Sequence, residues 1–143
     1  MWSTEYSTDT AVSPQQIWSA LRALHTGTAL SEASDRFEIH GPFAVGTEIS
    51  VTPQGQDTFQ SRITELVENE VYADQTSFGD VTLLFRHTLR DLGNGGTRIT
   101  HQLEIDGAGA DQAGPELGAQ ISADFPAAMQ DLIAAAQASL PAP

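Results

Sequence analysis

Two histidines are the residues of this sequence whose spacing most suggests chemistry. His87 and His101 fall in the last two predicted strands, and a hairpin that pairs Asp91 with Thr97 sets the two imidazoles opposite each other on one face. Such a pair could relay a proton, hold the polar end of a ligand or bind a metal, or it could be purely structural. Two adjacent imidazolium ions repel, so we expect at least one ring to be neutral near pH 7.

Further polar side chains are predicted to share this inward face. Extending the ladder backwards by pairing Ser77 with Val81, and Val67 with Val71, turns four of them inward: Ser61, Glu65, Gln75 and Ser77. Glu65 could act as a buried base, and Ser61 and Gln75 could bond a ligand. A wet end of the sheet, or a parity error caused by a bulge, would explain the same pattern without a site. A mostly apolar wall with a few polar groups is typical of a small-molecule pocket.

Apolar residues near the histidines are the predicted walls of that pocket, with ordinary core packing as the alternative. They are Phe85, Leu103, Phe125, Met129 and Ile133. The opposite face is predicted to carry Leu66, Tyr72, Phe78 and Leu84, either as a homodimer patch or as scattered surface residues. His25 and His40 are interpreted as residues of a loop and a strand end without a chemical role.

Several kinds of chemistry are excluded or disfavoured by residue content. The sequence has no cysteine, and all six of its Lys+Arg residues are arginine. Disulfides, thiolate nucleophiles, cysteine-bound metals and Schiff-base lysines are therefore excluded. No metal-binding spacing and no nucleophile elbow occurs, and Gly93–Gly96 is predicted to be a hairpin turn. We therefore expect neither a metal nor a cofactor.

Charge and length bound the protein class. The 143 residues predict one domain, spanning 1–143, and carry a formal charge of −13. Such a negative surface repels phosphate, so nucleic acid is excluded as a partner and anionic membranes are disfavoured. The first residues do not resemble a signal peptide, and no apolar run is long enough to insert into a membrane. We expect a cytoplasmic monomer or homodimer.

The elements that must position these residues can be predicted in order. A strand over 2–10 precedes a helix that starts at Ser13-Pro14, contains the capping-box residue Gln16 and ends near His25–Gly27. Short strands follow around 37–39 and 49–51, and longer ones over 57–67, 70–77, 80–91 and 97–106. Helical periodicity from Leu117 to Ala136 predicts one long helix kinked at Pro126, with a second helix capped by Asp124 as the alternative. This order predicts an α+β layer structure.

The sequence also resembles a known superfamily over residues 2–138. The segments that carry the resemblance are Val12–Trp18, Gly41–Thr47, Arg62–Leu66, Leu84–His87 and Gly95–His101. They are similar to the START-like and Bet v 1-like (SRPBCC) proteins, in particular the bacterial polyketide cyclase/dehydrase-type branch. The resemblance implies a helix-grip fold, in which a curved antiparallel sheet of six or seven strands surrounds a long C-terminal helix around an apolar cavity.

Three functions follow as hypotheses. The first is a non-catalytic carrier or sensor that binds one small apolar molecule, a lipid or a polyketide-like compound, with His87, His101 and Gln75 fixing its polar end. The second is a polyketide cyclase or dehydratase in which His87, His101 or Glu65 moves protons. The third is a protein-interaction module, expected to show a large exposed apolar patch and no enclosed cavity.

Overall fold

The computed structural model describes residues 1–30, 34–53 and 55–138. Its elements, in chain order, are β1 (Trp2–Thr10), α1 (Pro14–His25), β2 (Arg36–Ile39), β3 (Glu48–Thr52), β4 (Phe59–Val67), β5 (Val71–Phe78), β6 (Val81–Asp91), β7 (Thr97–Gly107), α2 (Ala110–Ser122) and α3 (Phe125–Ala138). This order confirms the predicted α+β helix-grip architecture.

The first helix begins as its sequence predicts. The Ser13 side chain accepts a hydrogen bond from the backbone N–H of Gln16, and the Gln16 side chain accepts one from the backbone N–H of Ser13. Pro14 occupies the first turn, where a missing N–H costs nothing. The helix buries Ile17 and Leu21 against the sheet, and His25, its last residue, is buried with them.

The strands form one curved antiparallel sheet in the order β1-β7-β6-β5-β4-β3-β2. The hairpin between β6 and β7 has the predicted register, with Asp91 opposite Thr97 and His87 opposite His101. Both histidines therefore lie on the inner face, toward the helices.

The register between β5 and β6 differs by one residue from the prediction. Phe78, not Ser77, pairs with Val81, because the turn uses only two residues and its Gly79 takes a positive φ of 61°. A one-residue slip exchanges the two faces of a strand. Tyr72 and Phe78, predicted to face outward, therefore face inward, and the inward placement of Gln75 and Ser77 is wrong.

Strand β4 contains a bulge that the sequence did not predict. Val67 pairs with Val71 as expected, but the register shifts between Ile63 and Glu65. The extra residue turns Glu65 to the outer face and Leu66 to the inner one, so both were placed on the wrong face. Upstream of the bulge the parity returns to the predicted one, and Ser61 is buried on the inner side.

The C-terminal segment bends where proline was expected to interrupt it. The bend is sharp enough to divide the segment into α2 and α3, with the break at residues 123–124 and Pro126 in the first turn of α3. The Gly- and Ala-containing stretch at 107–114 is predicted from its sequence to be loose, but its residues from Ala110 onward form the start of α2. The terminal residues 141–143, also predicted to be loose, lie outside the described residues.

Glycines let α2 approach the sheet edge. A Cβ built on Gly114 or Gly118 would lie 2.5 Å or less from side-chain atoms of Trp2 on β1. The Trp2 ring therefore packs directly against the backbone of α2. This contact fixes one end of the helical layer, while the buried residues of α3, Phe125, Met129, Leu132, Ile133 and Ala136, fix the other.

Candidate functional site

A cavity of about 690 Å³ lies between the inner face of the sheet and the three helices. Two apolar clusters flank it: one is centred on α1, α3 and the strands β3 and β4, and the other on Phe125, Leu103 and Ile105. Exposed residues of the wall, among them Phe78, Asp124 and Ala128, mark its opening to solvent. The space is sufficient for a small organic molecule.

The structure brings together about half of the predicted site residues. His87, His101, Phe85, Phe125 and Met129 line the cavity. Leu103 and Ile133 pack in the apolar core and are not on the cavity wall. Ser61 is buried below the wall, beside Asp74.

Two predicted candidates lie away from the cavity. Gln75 is on the outer face, opposite Leu84. Glu65 is also on the outer face, where its carboxylate accepts hydrogen bonds from Arg86, whose guanidinium also bonds Gln102. Glu65 cannot serve as the inward carboxyl group of this site.

Three histidines form what we call the imidazole row: His25, His87 and His101. The His87 and His101 rings stack with centroids 3.9 Å apart, and Phe125 covers the other end at 3.9 Å from His101. The His25 ring meets His87 edge-on, at 5.8 Å. The row thus crosses from the end of α1 to β6 and β7 and places three imidazoles on the cavity wall.

Burial keeps the imidazole row neutral. It lowers the pKa of His25 to about 4, and the Leu21 carbonyl, which accepts a hydrogen bond from Nδ1 at 2.8 Å, opposes this only in part. Burial lowers the pKa of His101 to about 3, aided by repulsion from His25. For His87 burial comes first and repulsion from His101 and His25 second, so its pKa lies well below 6.5.

The row has unused hydrogen-bonding capacity. Among the described residues, no hydrogen bond reaches the imidazole of His87 or His101, and Nδ1 of His87 is buried without a partner. The hydrogen bond to Leu21 fixes the proton of neutral His25 on Nδ1, which leaves Nε2 as an acceptor. All three residues line the cavity, so the ring nitrogens of the row that reach the open space are its candidate hydrogen-bonding groups for a bound molecule.

A second polar element, here called the carboxyl site, consists of Tyr72 and Asp74 on β5. The Tyr72 hydroxyl donates a hydrogen bond of 2.8 Å to Oδ2 of Asp74, and Asp74 lines the cavity. Burial raises the pKa of Asp74 to about 6, which the bond from Tyr72 opposes. The Ser61 hydroxyl also lowers this pKa, although its geometry falls short of a full hydrogen bond.

The rest of the wall adds negative charge. Asp35, Asp124 and Asp131 line the cavity toward its open side. Burial raises the pKa of Asp35, and the charge of Asp124 raises it further. Across the part of the chain that the structure describes, neither Arg nor Lys lines the cavity.

Sequence reasoning missed His25, Tyr72 and Asp74. His25 lies four residues after Leu21, so helical spacing already placed both on one face of α1. The one-residue error in the predicted β5 register puts Tyr72 on the outer face, and with it Asp74, which lies two residues further along the same strand. A two-residue turn at Gly79 and Asp80, one residue shorter than the predicted turn, places both side chains on the inner face.

Two kinds of feature are absent from the described residues. In residues 1–30, 34–53 and 55–138 we find no group of three or more His, Cys, Asp or Glu arranged to hold a metal ion. None of the helices in these ranges combines the length and the apolar character needed to cross a bilayer.

Solved structures with the same architecture place the chain in a fold class. The Ara h 8.0201 structure has a TM-score of 0.75 at 18% identity, covering 96% of this chain and 98% of its own. Norcoclaurine synthase from Thalictrum flavum, in complex with dopamine and hydroxybenzaldehyde, has a TM-score of 0.74 at 13% identity, covering 98% and 88%. The Zhui aromatase/cyclase from Streptomyces sp. R1128 has a TM-score of 0.73 at 16% identity, covering 98% and 96%.

The fold expected from the resemblance is thereby confirmed: the chain has the helix-grip fold of the Bet v 1-like structures. No protein-family model matches the sequence, and no curated protein matches it significantly. A synthase and an aromatase/cyclase share this fold, but a fold does not determine function, so function must be argued from the site.

Proposed function

We propose that the protein binds one small, largely apolar molecule in its internal cavity and acts as a carrier or sensor. The observation that supports this most strongly is the open space of about 690 Å³ beside imidazoles that have no hydrogen-bond partner among the described residues. A filled core has no need of such groups, because each unpaired buried polar group costs about 1–3 kcal/mol. A ligand that bonds to them recovers this free energy.

Affinity would come from burial of the apolar body of the ligand, at about 25 cal/mol per Å². Phe85, Phe125 and Met129 supply the apolar surface, and Met129 adapts readily to different shapes. The imidazole row would orient the polar end. A flat ring system suits this wall, since Phe125, His101 and His87 form a continuous stack.

The test is calorimetric titration with 2-naphthalenemethanol, a flat apolar probe with one hydroxyl group, on the full chain. The matched variants are Ala128→Trp, which introduces an indole at a residue of the cavity wall, and Ala127→Trp, its exposed neighbour that is not on the wall. We expect Ala128→Trp to weaken binding at least tenfold and Ala127→Trp to leave it unchanged. Equal effects of the two variants, or no binding by the parent protein, would refute the proposal.

A second candidate function is a proton-transfer enzyme of the cyclase or dehydratase type, acting on a polyketide-like substrate. It is favoured by Asp74, a cavity carboxyl whose pKa is raised to about 6 and which is bonded to Tyr72. A carboxyl with a pKa near the working pH can both remove a proton from an acidic carbon and return it.

Deuterium incorporation separates the two functions. The carbon between the carbonyl groups of benzoylacetone is an acidic carbon whose exchange with D2O can be followed by NMR. An enzyme would accelerate this exchange, and Asp74→Asn would abolish the acceleration while keeping affinity. A carrier would bind the compound without changing its exchange rate.

A further inference from the structure

The charges around the cavity are all of one sign. Asp74 and Asp35 lie on the wall, Asp124 and Asp131 lie toward the opening, and among the described residues no arginine or lysine joins them. Arginines are paired elsewhere, such as Arg62 with Glu48 and Arg98 with Asp9 on the exposed side of the sheet. The sequence has no lysine at all.

The imidazole row does not supply the missing positive charge. Its rings are buried against each other and against Phe125, and no carboxylate among the described residues bonds to them. A proton added to His87 or His101 would lie against a second imidazole at 3.9 Å. The rings therefore offer lone pairs and neutral N–H groups to a ligand.

Several of these polar groups accept hydrogen bonds. Neutral His25 offers Nε2, because its Nδ1 proton is committed to the Leu21 carbonyl. His87 and His101 each offer one acceptor nitrogen in the neutral form. The rim carboxylates Asp35 and Asp124 accept as well.

We infer that the cavity selects an apolar molecule whose polar end donates hydrogen bonds and has no negative charge, a hydroxyl or a protonated amine, and that it rejects carboxylates of similar shape. This inference rests on the proposed function and names the class of ligand. A carboxylate would lose its hydration in the cavity without gaining a counterion. It would also approach Asp124 and Asp35, whose repulsion water screens only in part near a protein surface.

Three probes with one ring system and three end groups test the inference: 2-naphthalenemethanol, 2-naphthylmethylammonium and 2-naphthoate. Their dissociation constants are measured by calorimetry at pH 7 and low ionic strength. We expect the ammonium to bind at least as tightly as the alcohol, and the carboxylate to bind at least about tenfold more weakly. A carboxylate that binds as tightly as the alcohol, or more tightly than the ammonium, overturns the inference.

Failure of the proposed function gives a different result. If none of the three probes binds, the cavity is not a ligand site and both proposals fall. If all three bind with equal affinity, the carrier function stands and the selectivity inference alone fails.

A double variant locates the selectivity. Asp35→Asn with Asp124→Asn removes two charges at the cavity, and we expect it to strengthen 2-naphthoate binding severalfold relative to the alcohol. The control, Glu68→Gln with Glu116→Gln, removes two exposed charges that are not on the wall. If the control reduces the difference in affinity between 2-naphthoate and the alcohol as much as the cavity variant does, the selectivity reflects net charge and the inference is overturned.

Discussion

The two polar elements of the cavity, the imidazole row and the carboxyl site, differ in whether their polar groups have hydrogen-bond partners. Tyr72 and Asp74 satisfy each other, since the hydroxyl donates to the carboxyl group at 2.8 Å. His87 and His101 stack at 3.9 Å and satisfy nothing, for no hydrogen bond reaches either ring within the described part of the chain. The polar groups of the carboxyl site therefore have partners within the fold, whereas under the proposed function His87 and His101 would find theirs in a bound molecule.

The same burial also gives the two elements opposite responses to pH. A buried base resists protonation and a buried acid resists ionisation, so burial lowers the pKa of each histidine and raises that of Asp74. Lowering the pH should therefore reduce the contribution of the imidazole row to the free energy of unfolding and increase that of the carboxyl site.

The largest expected effect is loss of stability in mild acid. The folded pKa values of His25 and His101 are about 4 and 3, against 6.5 in the unfolded chain, so the unfolded state binds more protons below pH 6.5. Stability is complete above that pH and is lost as the pH falls. Asp74 acts in reverse: its folded pKa of about 6, against 3.8, makes its contribution fall as the pH rises through that window.

The three histidines outweigh the one buried aspartate. We expect the free energy of unfolding to drop by on the order of 4 kcal/mol between pH 7 and pH 5, measured by urea denaturation. Asp74→Asn should deepen the drop, and His87→Phe with His101→Phe should make it shallower. A free energy of unfolding that is flat over this range would contradict the neutral imidazole row.

The next effect concerns the carboxyl site. Tyr72→Phe keeps the ring between His25 and Phe43 but removes the hydroxyl that bonds Asp74. We expect a loss of about 1–3 kcal/mol in the free energy of unfolding, because a buried carboxyl is left without its donor. Combining it with Asp74→Asn should add much less than the sum of the two single changes, and full additivity would mean that the two groups are not coupled.

Replacing the paired imidazoles should weaken binding without weakening the fold. In His87→Phe with His101→Phe, apolar rings replace groups that have no partner, so the free energy of unfolding at pH 7 should stay the same or rise by about 1–3 kcal/mol. The affinity for 2-naphthalenemethanol should fall about tenfold, which corresponds to about one hydrogen bond. Unchanged affinity would mean that the row does not contact the ligand.

The smallest effect is expected on the outer face. Glu65→Gln weakens a partly exposed ion pair with Arg86, and such pairs contribute about 0–1 kcal/mol. Ligand affinity and the acid response should not change. A loss of binding would mean that Glu65 contributes to the ligand site after all, contrary to its position on the outer face.

The parts of the molecule that the sequence predicts well are those set by strong local signals. The capping box of Ser13 and Gln16 fixes the start of α1, and the alternating pattern around His87 and His101 fixes their hairpin. The faces of β4 and β5 were predicted incorrectly because parity depends on single residues. The turn at Gly79 has one residue fewer than predicted, so Asp74 faces inward in place of Gln75. The bulge near Thr64 adds one residue, so Leu66 faces inward in place of Glu65.

The position of the C-terminal bend is likewise not set by a local sequence signal alone. Pro126 predicts an interruption, but α2 ends at Ser122, and only the packing of Trp2 on Gly114 and Gly118 shows how α2 is held against the sheet. The cavity itself depends on this helix placement. Its existence was therefore a hypothesis until the helices could be located.

Neutral imidazoles facing the cavity can be observed directly by ¹⁵N NMR of the histidine ring nitrogens at pH 7, with and without 2-naphthalenemethanol. His87 and His101 should each show one protonated and one unprotonated nitrogen, and these signals should shift on addition of the probe while those of exposed His40 do not. Imidazolium signals from both rings, or signals that do not respond to the probe, would mean that the two rings are not a neutral ligand-binding pair.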